Sequence, residues 1–237
     1  MHGLPSPQLA GPGRGLTKWF FYPGFTPRTG GLIREADLDA RQARFDRQAW
    51  LVQQGLAPLP GERMVCLFGY ASAPWPALLP ALTGRPGCLL VPPGPLQQPL
   101  RAAALPAGLR CHALPWLSQI DFDHLLWSCD LNAVRGEDSL VRALWAGKPL
   151  LWQLYPQHDG AHEPKLAAFA RRCRAGTLPA LDALWRRWNG LETGPLRLPE
   201  EAAWRRFAAG LCAELAAGPE LVSSLQSLVA GKLGAAG

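Results

Sequence analysis

The sequence lacks most of the features that mark special classes of chain. Its six cysteines, Cys66, Cys88, Cys111, Cys129, Cys173 and Cys212, are far apart and never form a C-x-x-C pair. That spacing excludes a zinc knuckle and a disulfide framework and fits a reducing cytoplasm. Most of them stand in apolar runs, where a thiol serves as a small core residue. No uninterrupted apolar stretch reaches the ~18 residues of a membrane span, so no membrane partner is expected. Met1 to Lys18 carries Pro5, Pro7 and Pro12 but no continuous apolar segment of the secretory kind. Charge is sparse, at 18% of residues, and the arginines come in scattered pairs such as Arg171/Arg172, Arg186/Arg187 and Arg205/Arg206. Such pairs belong to solvated helix faces. With no basic run interleaved with aromatics, the net charge of +6 gives no case for nucleic acid; a nucleotide or an acidic protein surface accounts for it as well.

What is present is enough apolar material, 48% of 237 residues, for a packed core. Buried-strand runs recur at near-regular intervals: MVCLF from Met64, CLLV from Cys88, LRCHAL from Leu109, DLNAV from Asp130 and LLWQL from Leu150. Segments that can be helices separate them. Strands apolar on both faces and alternating with helices imply a parallel sheet covered on both sides by right-handed crossovers. Residues 63–160 therefore read as a Rossmann-like α/β unit. Phe122, Leu125, Leu126 and Cys129 make one helical stripe, and Ser139 to Ala146 reads as a short helix stopped by Gly147 and the Lys148-Pro149 step.

The C-terminal quarter reads as helices alone, at residues 165–174, 178–188, 200–217 and 220–233. Trp204, Phe207, Leu211 and Leu215 fall on one face of the third, which needs a cover. Residues 1–62 look like the end of a domain: a Pro/Gly-rich start, a short strand in KWFFYPGF, the turn-rich loop GFTPRTGG and one amphipathic helix over roughly residues 35–54.

Ligands of open α/β sheets bind beyond the carboxyl ends of the strands. RGEDS, from Arg135, occupies one such loop, and amides at Asp138, Ser139 and Leu140 opening a helix would make an anion site to which the Ser139 hydroxyl adds a donor. Ionised Glu137 beside a phosphate repels it unless its oxygens face donors, and a ribose diol supplies two. The alternative is that Asp138 or Ser139 merely caps the helix. Upstream, Trp116, Gln119 and Phe122 form W-x-x-Q-x-x-F just after the strand ending at Leu114, while Phe68 and Tyr70 end the first strand at the same edge. An aromatic face stacks on a base and an amide reads its edge; for Phe122, core packing is the competing role. Together these groups suit a nucleotide.

RGEDSLVRALWAGKPLLWQLYPQ, LPWLSQIDFDHLLWSCDLNAV and the early HGLPSPQ with FFYPGFTPRTGGLIRE strongly resemble the protein-arginine rhamnosyltransferases that modify bacterial translation elongation factor P, the EarP family. The resemblance implies an inverting, metal-independent glycosyltransferase of GT-B architecture, without a cofactor. Its substrates would be dTDP-β-L-rhamnose and an arginine of elongation factor P. It assigns Phe68 and Tyr70 to the aromatic donor site, Trp116 and Gln119 to thymine, Phe122 to a further aromatic wall, and Glu137, Asp138 and Ser139 to the ribose and diphosphate turn. Trp116 stands where the family usually has Phe, and Ala71 where an acidic residue is common.

The family's DNFGD-like segment, with an aspartate proposed as general base, has no counterpart in this sequence, so no catalytic residue is identified. The expectation is a donor-binding chain with most of its N-terminal domain absent. Residues 1–62 would be the end of that domain and its connector, 63–200 the nucleotide-sugar domain, and 201–237 helices returning toward the N-terminal domain, with Trp204 and Phe207 left partly uncovered. Two other functions are weighed: a noncatalytic nucleotide-sugar module and a nucleotide-sugar epimerase. HDGAH spaces His158 and His162 at i, i+4 beside Asp159 and Glu163, but a solvated loop and helix start explains it more simply than a metal.

Overall fold

Leu4–Pro5 (β1) and Trp19–Phe20 (β2) pair antiparallel over two residues, Leu4 with Phe20 and Pro5 with Trp19. The strand expected in KWFFYPGF is thus brief, ending before Pro23, which cannot donate to a ladder. The computed structural model describes residues 4–5, 18–26, 28–156, 160 and 162–234. They fall into two compact units, Gln42–Cys212 and the combination of Met1–Arg41 with Ala213–Gly237.

In the smaller unit the GFTPRTGG segment closes on itself, with the Gly24 amide donating to the Gly31 carbonyl at 2.9 Å and Gly30 to Tyr22 at 2.8 Å. A bridge joins Leu32 to Glu220, and the Arg34 guanidinium donates to the Ala216 carbonyl at 2.9 Å. The helix expected over residues 35–54 is two: α1 (Leu38–Ala43) and α2 (Arg47–Gln53). Asp46 breaks it, since its carboxylate accepts from the Ala49 amide at 3.0 Å and caps α2.

The larger unit is built on β3 (Arg63–Leu67), β4 (Gly87–Val91), β5 (Leu109–Ala113), β6 (Leu131–Arg135) and β7 (Leu150–Gln153). All neighbours are parallel, in the order β5-β4-β3-β6-β7. Each of the five apolar runs became a strand within a residue or so of its expected bounds. β4 and β7 are buried along their whole length, as sheets covered on both faces require. The intervening helices are α3 (Trp75–Leu82), α4 (Gln97–Ala102), α5 (Gln119–Ser128) and α6 (Gly136–Trp145). After β7 come α7 (His162–Arg172), a 3-10 turn at Ala175–Thr177, α8 (Leu181–Trp188), α9 (Glu201–Ala216) and α10 (Leu221–Gly234). No helix among the described residues is long and apolar enough to cross a membrane.

One expectation fails here. Trp204, Ala208 and Leu211 of α9 are buried within the larger unit, around a small gap lined also by Leu144, Leu150 and Trp185. The stripe was legible from its period, but its cover, α6, β7 and α8, comes from this same unit, so Trp204 is not left open and Phe207 lies at the margin.

One buried ion pair sets α5 against α6. Asp123, 2% exposed, accepts from Arg142 Nε at 2.7 Å and also from its Nη2. Removing one partner strands a buried charge, which typically costs about 3–5 kcal/mol. Asp123→Ala is expected to lose about that much in urea unfolding, whereas exchanging an exposed surface acid such as Asp39 for Ala should cost under about 0.5 kcal/mol.

Candidate functional site

Counted from the first strand of this sheet, the order β5-β4-β3-β6-β7 means that the chain first steps one way from β3 and then returns to add β6 on its other side. Loops leaving the carboxyl ends of β3 and β6 therefore diverge, and a crevice opens between them. The β3 loop carries Phe68, Gly69 and Tyr70; the β6 end carries Arg135 and Gly136.

A cleft of about 300 Å³ lies at this edge. Its walls come from the β3 end (Phe68), the β4 end (Pro92 to Gly94), the segment after β5 (Trp116 to Gln119), α5 (Phe122) and the β6–α6 junction (Arg135, Ser139). Five of the eight expected site residues, Phe68, Trp116, Gln119, Phe122 and Ser139, thus line one cavity. Phe122 is half-buried and meets the Phe68 ring edge-on at 5.6 Å, so it belongs both to the helix stripe and to the cleft wall. Trp116 is 87% exposed. So large an apolar face, left in water at a cavity mouth, is what a stacking partner needs. Ser118 caps α5, accepting from the Asp121 amide at 3.1 Å, and sets Gln119 on the first turn at the rim.

The start of α6 corrects the expected phosphate turn. The helix begins at Gly136, with Arg135 in the N-cap position and no side-chain cap, rather than at Ser139. Its free first-turn amides are those of Gly136, Glu137 and Asp138, while Ser139 and Leu140 already have helical acceptors. Neither Asp138 nor Ser139 is the cap. Gly136 permits the abrupt strand-to-helix change because its φ is +67° and a Cβ there would stand 3.2 Å from the Tyr70 hydroxyl. Trp152 Nε1 donates to the Gly136 carbonyl at 2.7 Å and pins the turn.

Glu137 and Asp138 are exposed on that turn and do not line the cleft. The Glu137 carboxylate pairs with Lys165 of α7, which reduces the repulsion it would exert on an anion at the helix end. Tyr70 also lies outside the cleft lining, beside Arg135, and its ring meets Tyr155 edge-on at 5.4 Å. Burial raises the Tyr70 phenol above its ordinary value, with Arg135 pulling the other way, so it stays a neutral O–H donor at pH 7.

Arg135 was not anticipated from the sequence. Its guanidinium stands 4.4 Å from the Phe68 ring centre and 5.1 Å from that of Tyr70, and donates to the Gly69 carbonyl at 3.3 Å. A cation held between two rings, next to free helix-end amides, is an anion site with both charge and direction. Amide side chains hold the rim. Gln97 Nε2 donates to Val91 and Leu114 carbonyls at 2.9 and 2.8 Å, tying β4 to β5. Gln153 Oε1 accepts the Tyr70 amide at 2.8 Å, and Asn189 joins α8 to the end of β7 through the Leu154 amide and the Trp152 carbonyl. A larger hollow, about 540 Å³, lies in the smaller unit, but its one charged group, Glu220, is already bonded to the Val222 and Ser223 amides. Its chemistry offers a ligand little.

Of HDGAH, His158, Asp159 and Ala161 lie outside the described residues. Among the described residues no group of three or more metal-ligating side chains is found.

Strand order and cleft together define a Rossmann-like α/β domain whose switch point carries a cleft bordered by a cation and by the first-turn amides of a helix. The chain belongs to the elongation-factor P (EF-P) rhamnosyltransferase family, EarP, whose family model matches residues 1–230. It is 46% identical over 210 residues to the protein-arginine rhamnosyltransferase of Pseudomonas putida, covering 79% of this chain and 55% of that protein. With the protein of the same name from Pseudomonas aeruginosa the identity is 41% over 257 residues, covering 94% and 65%. A solved structure reported as the structural basis for EarP-mediated arginine glycosylation of translation elongation factor EF-P is similar with a TM-score of 0.70 and 35% identity, over 90% of this chain and 76% of that one. The chain thus spans between about half and two-thirds of the curated relatives it matches.

Because Gly136 is both left-handed and close against Tyr70, Gly136→Ala is expected to destabilise by about 1–3 kcal/mol. A Tyr70→Phe background should recover the part due to the hydroxyl contact, as a double-mutant cycle in urea would measure.

Proposed function

We propose that this chain is the donor-binding part of an inverting rhamnosyltransferase, taking dTDP-β-L-rhamnose in the switch-point cleft and serving transfer to an arginine of elongation factor P. The observation that carries the reading is Arg135, placed between Phe68 and Tyr70 beside the free amides of α6. A diphosphate is the ligand such a group suits: two adjacent anions, met by one planar cation and a helix end.

The remaining roles follow from that anchor. Thymine stacks on Trp116 at the cleft mouth, Gln119 bonds its edge, and Phe68 and Phe122 close the apolar wall. Ser139 adds a hydroxyl to the phosphates. Glu137 takes the ribose diol, its charge balanced by Lys165, and Asp138 shares the turn. In the transfer, the bond from the anomeric carbon to the diphosphate breaks as the guanidinium nitrogen bonds to the opposite face of that carbon, which inverts it, and dTDP departs. Charge grows on the leaving diphosphate, so Arg135 and the α6 amides bind more tightly as the reaction proceeds. A guanidinium stays protonated at neutral pH, so a base must take its proton; the family resemblance assigns this to an aspartate with no counterpart among these residues. No metal or other cofactor enters this scheme, and the setting is cytoplasmic.

Calorimetric titration tests the reading. The wild-type chain should bind dTDP and dTDP-β-L-rhamnose saturably, and Arg135→Ala should weaken dTDP by about 10- to 100-fold, the worth of a charge-assisted hydrogen bond. An Arg135→Ala variant that binds dTDP as the wild type does would refute it.

A further inference from the structure

Trp152, the third residue of β7, is 2% exposed. Phe169 of α7 meets its ring edge-on at 4.9 Å, and Asn189 Nδ2 donates to its carbonyl at 2.8 Å, so ring and backbone are both fixed. From there its Nε1 donates across to the Gly136 carbonyl, just past the neighbouring strand β6, at 2.7 Å. A buried indole N–H needs some acceptor, but this one belongs to the peptide group that also carries the Glu137 N–H. A trans peptide is planar, with its C=O and N–H pointing opposite ways. A donor that holds the Gly136 carbonyl toward β7 therefore turns the Glu137 N–H away from β7, and that amide has no helical acceptor. Glu137 is held a second time by its side chain: the carboxylate pairs with Lys165 of α7, whose ammonium lies 5.9 Å from the Trp152 ring centre. One residue of the turn is thus fixed at its peptide plane and at its carboxylate, by groups of β7 and α7 that lie outside the cleft lining.

Resting on the donor-site reading above, we propose that Trp152 is a positioning residue: without touching the ligand, its indole N–H aims the Glu137 amide at the diphosphate. Gly136 is the reason that such a hold is required. Its φ of +67° lies where glycine moves freely, and no side-chain cap fixes the first turn of α6, so the Gly136–Glu137 peptide plane has nothing local to stop it from swinging. A helix-end amide that swings loses its direction. The indole bond removes that freedom before a ligand arrives, and a donor already aimed spends less ordering entropy on binding and needs no reorganisation as charge grows on the phosphates. The effect is specific to phosphate, because a nucleoside seated in the cleft does not reach this amide.

Amide NMR titrations with dTDP and with thymidine separate the outcomes, in the wild type and in Trp152→Phe, which keeps a ring against Phe169 and loses the N–H. The expected result is dTDP weakened by about 3- to 10-fold in Trp152→Phe, the worth of a neutral hydrogen bond, with thymidine affinity within about twofold. The Glu137 amide proton should move downfield when dTDP binds the wild type, and less in the variant. Coupling is reciprocal, so in the wild type dTDP, but not thymidine, should slow hydrogen exchange at the Trp152 indole; this measurement decides the matter if Trp152→Phe fails to fold. Unchanged dTDP affinity in a folded variant, equal loss of dTDP and thymidine, or an indole proton indifferent to dTDP overturns the proposal while leaving the donor site standing. A wild-type chain that binds no dTDP overturns the donor site and this inference together.

Discussion

A sheet covered on both faces has few places to put polar groups, and in this domain the largest is the carboxyl edge, where β3 and β6 send their loops in opposite directions. The reversal is a topological constraint. β3 and β6 are adjacent, but the connections that leave them run to opposite sides of the sheet, so a crevice opens between them at the edge. Everything assigned to the site hangs from it: Arg135 because it is the last residue of β6, the α6 amides because Gly136 turns the chain at once into a helix, and the aromatic walls because β3 and α5 end at the same edge.

The edge is kept open by amide side chains. Gln97, Gln153 and Asn189 each bond main-chain groups of the loops that leave the sheet, and the Asp123–Arg142 pair holds α5 to α6 just beneath. Such bonds stabilise the fold modestly, each by about 1 kcal/mol, but they fix loop geometry before a ligand arrives. A preorganised anion site loses less ordering entropy on binding. The paired acids of RGEDS fit the same economy of charge: Glu137, outside the cleft lining, is balanced by Lys165, so the helix end keeps its attraction for an anion.

The strands were legible because burial on both faces writes a continuous apolar run, and that signal is local. Trp116, Gln119 and Phe122 were legible for a related reason, since they follow directly on a strand end. Arg135 was not. An arginine closing a strand looks like any surface cation until the strand order shows that Phe68 and Tyr70 stand opposite. The α6 boundary was missed because Ser and Asp are common caps and drew the expected start to the wrong residue, while a left-handed glycine gives a one-letter signal that is easily read as a plain turn. Asp46 carried a cap signal that an unbroken amphipathic pattern concealed. What covers Trp204 depends on contacts with β7 and α8, far away in sequence.

The account stands on a diphosphate lying at the junction of β6 and α6. A crystal structure of this chain with dTDP tests that most directly. It should place phosphate oxygens within hydrogen-bond reach of Arg135 and of the amides of Gly136 to Asp138, with the base against Trp116. A nucleotide ordered elsewhere, or one whose phosphates point into solvent while Arg135 keeps to Gly69, would contradict it.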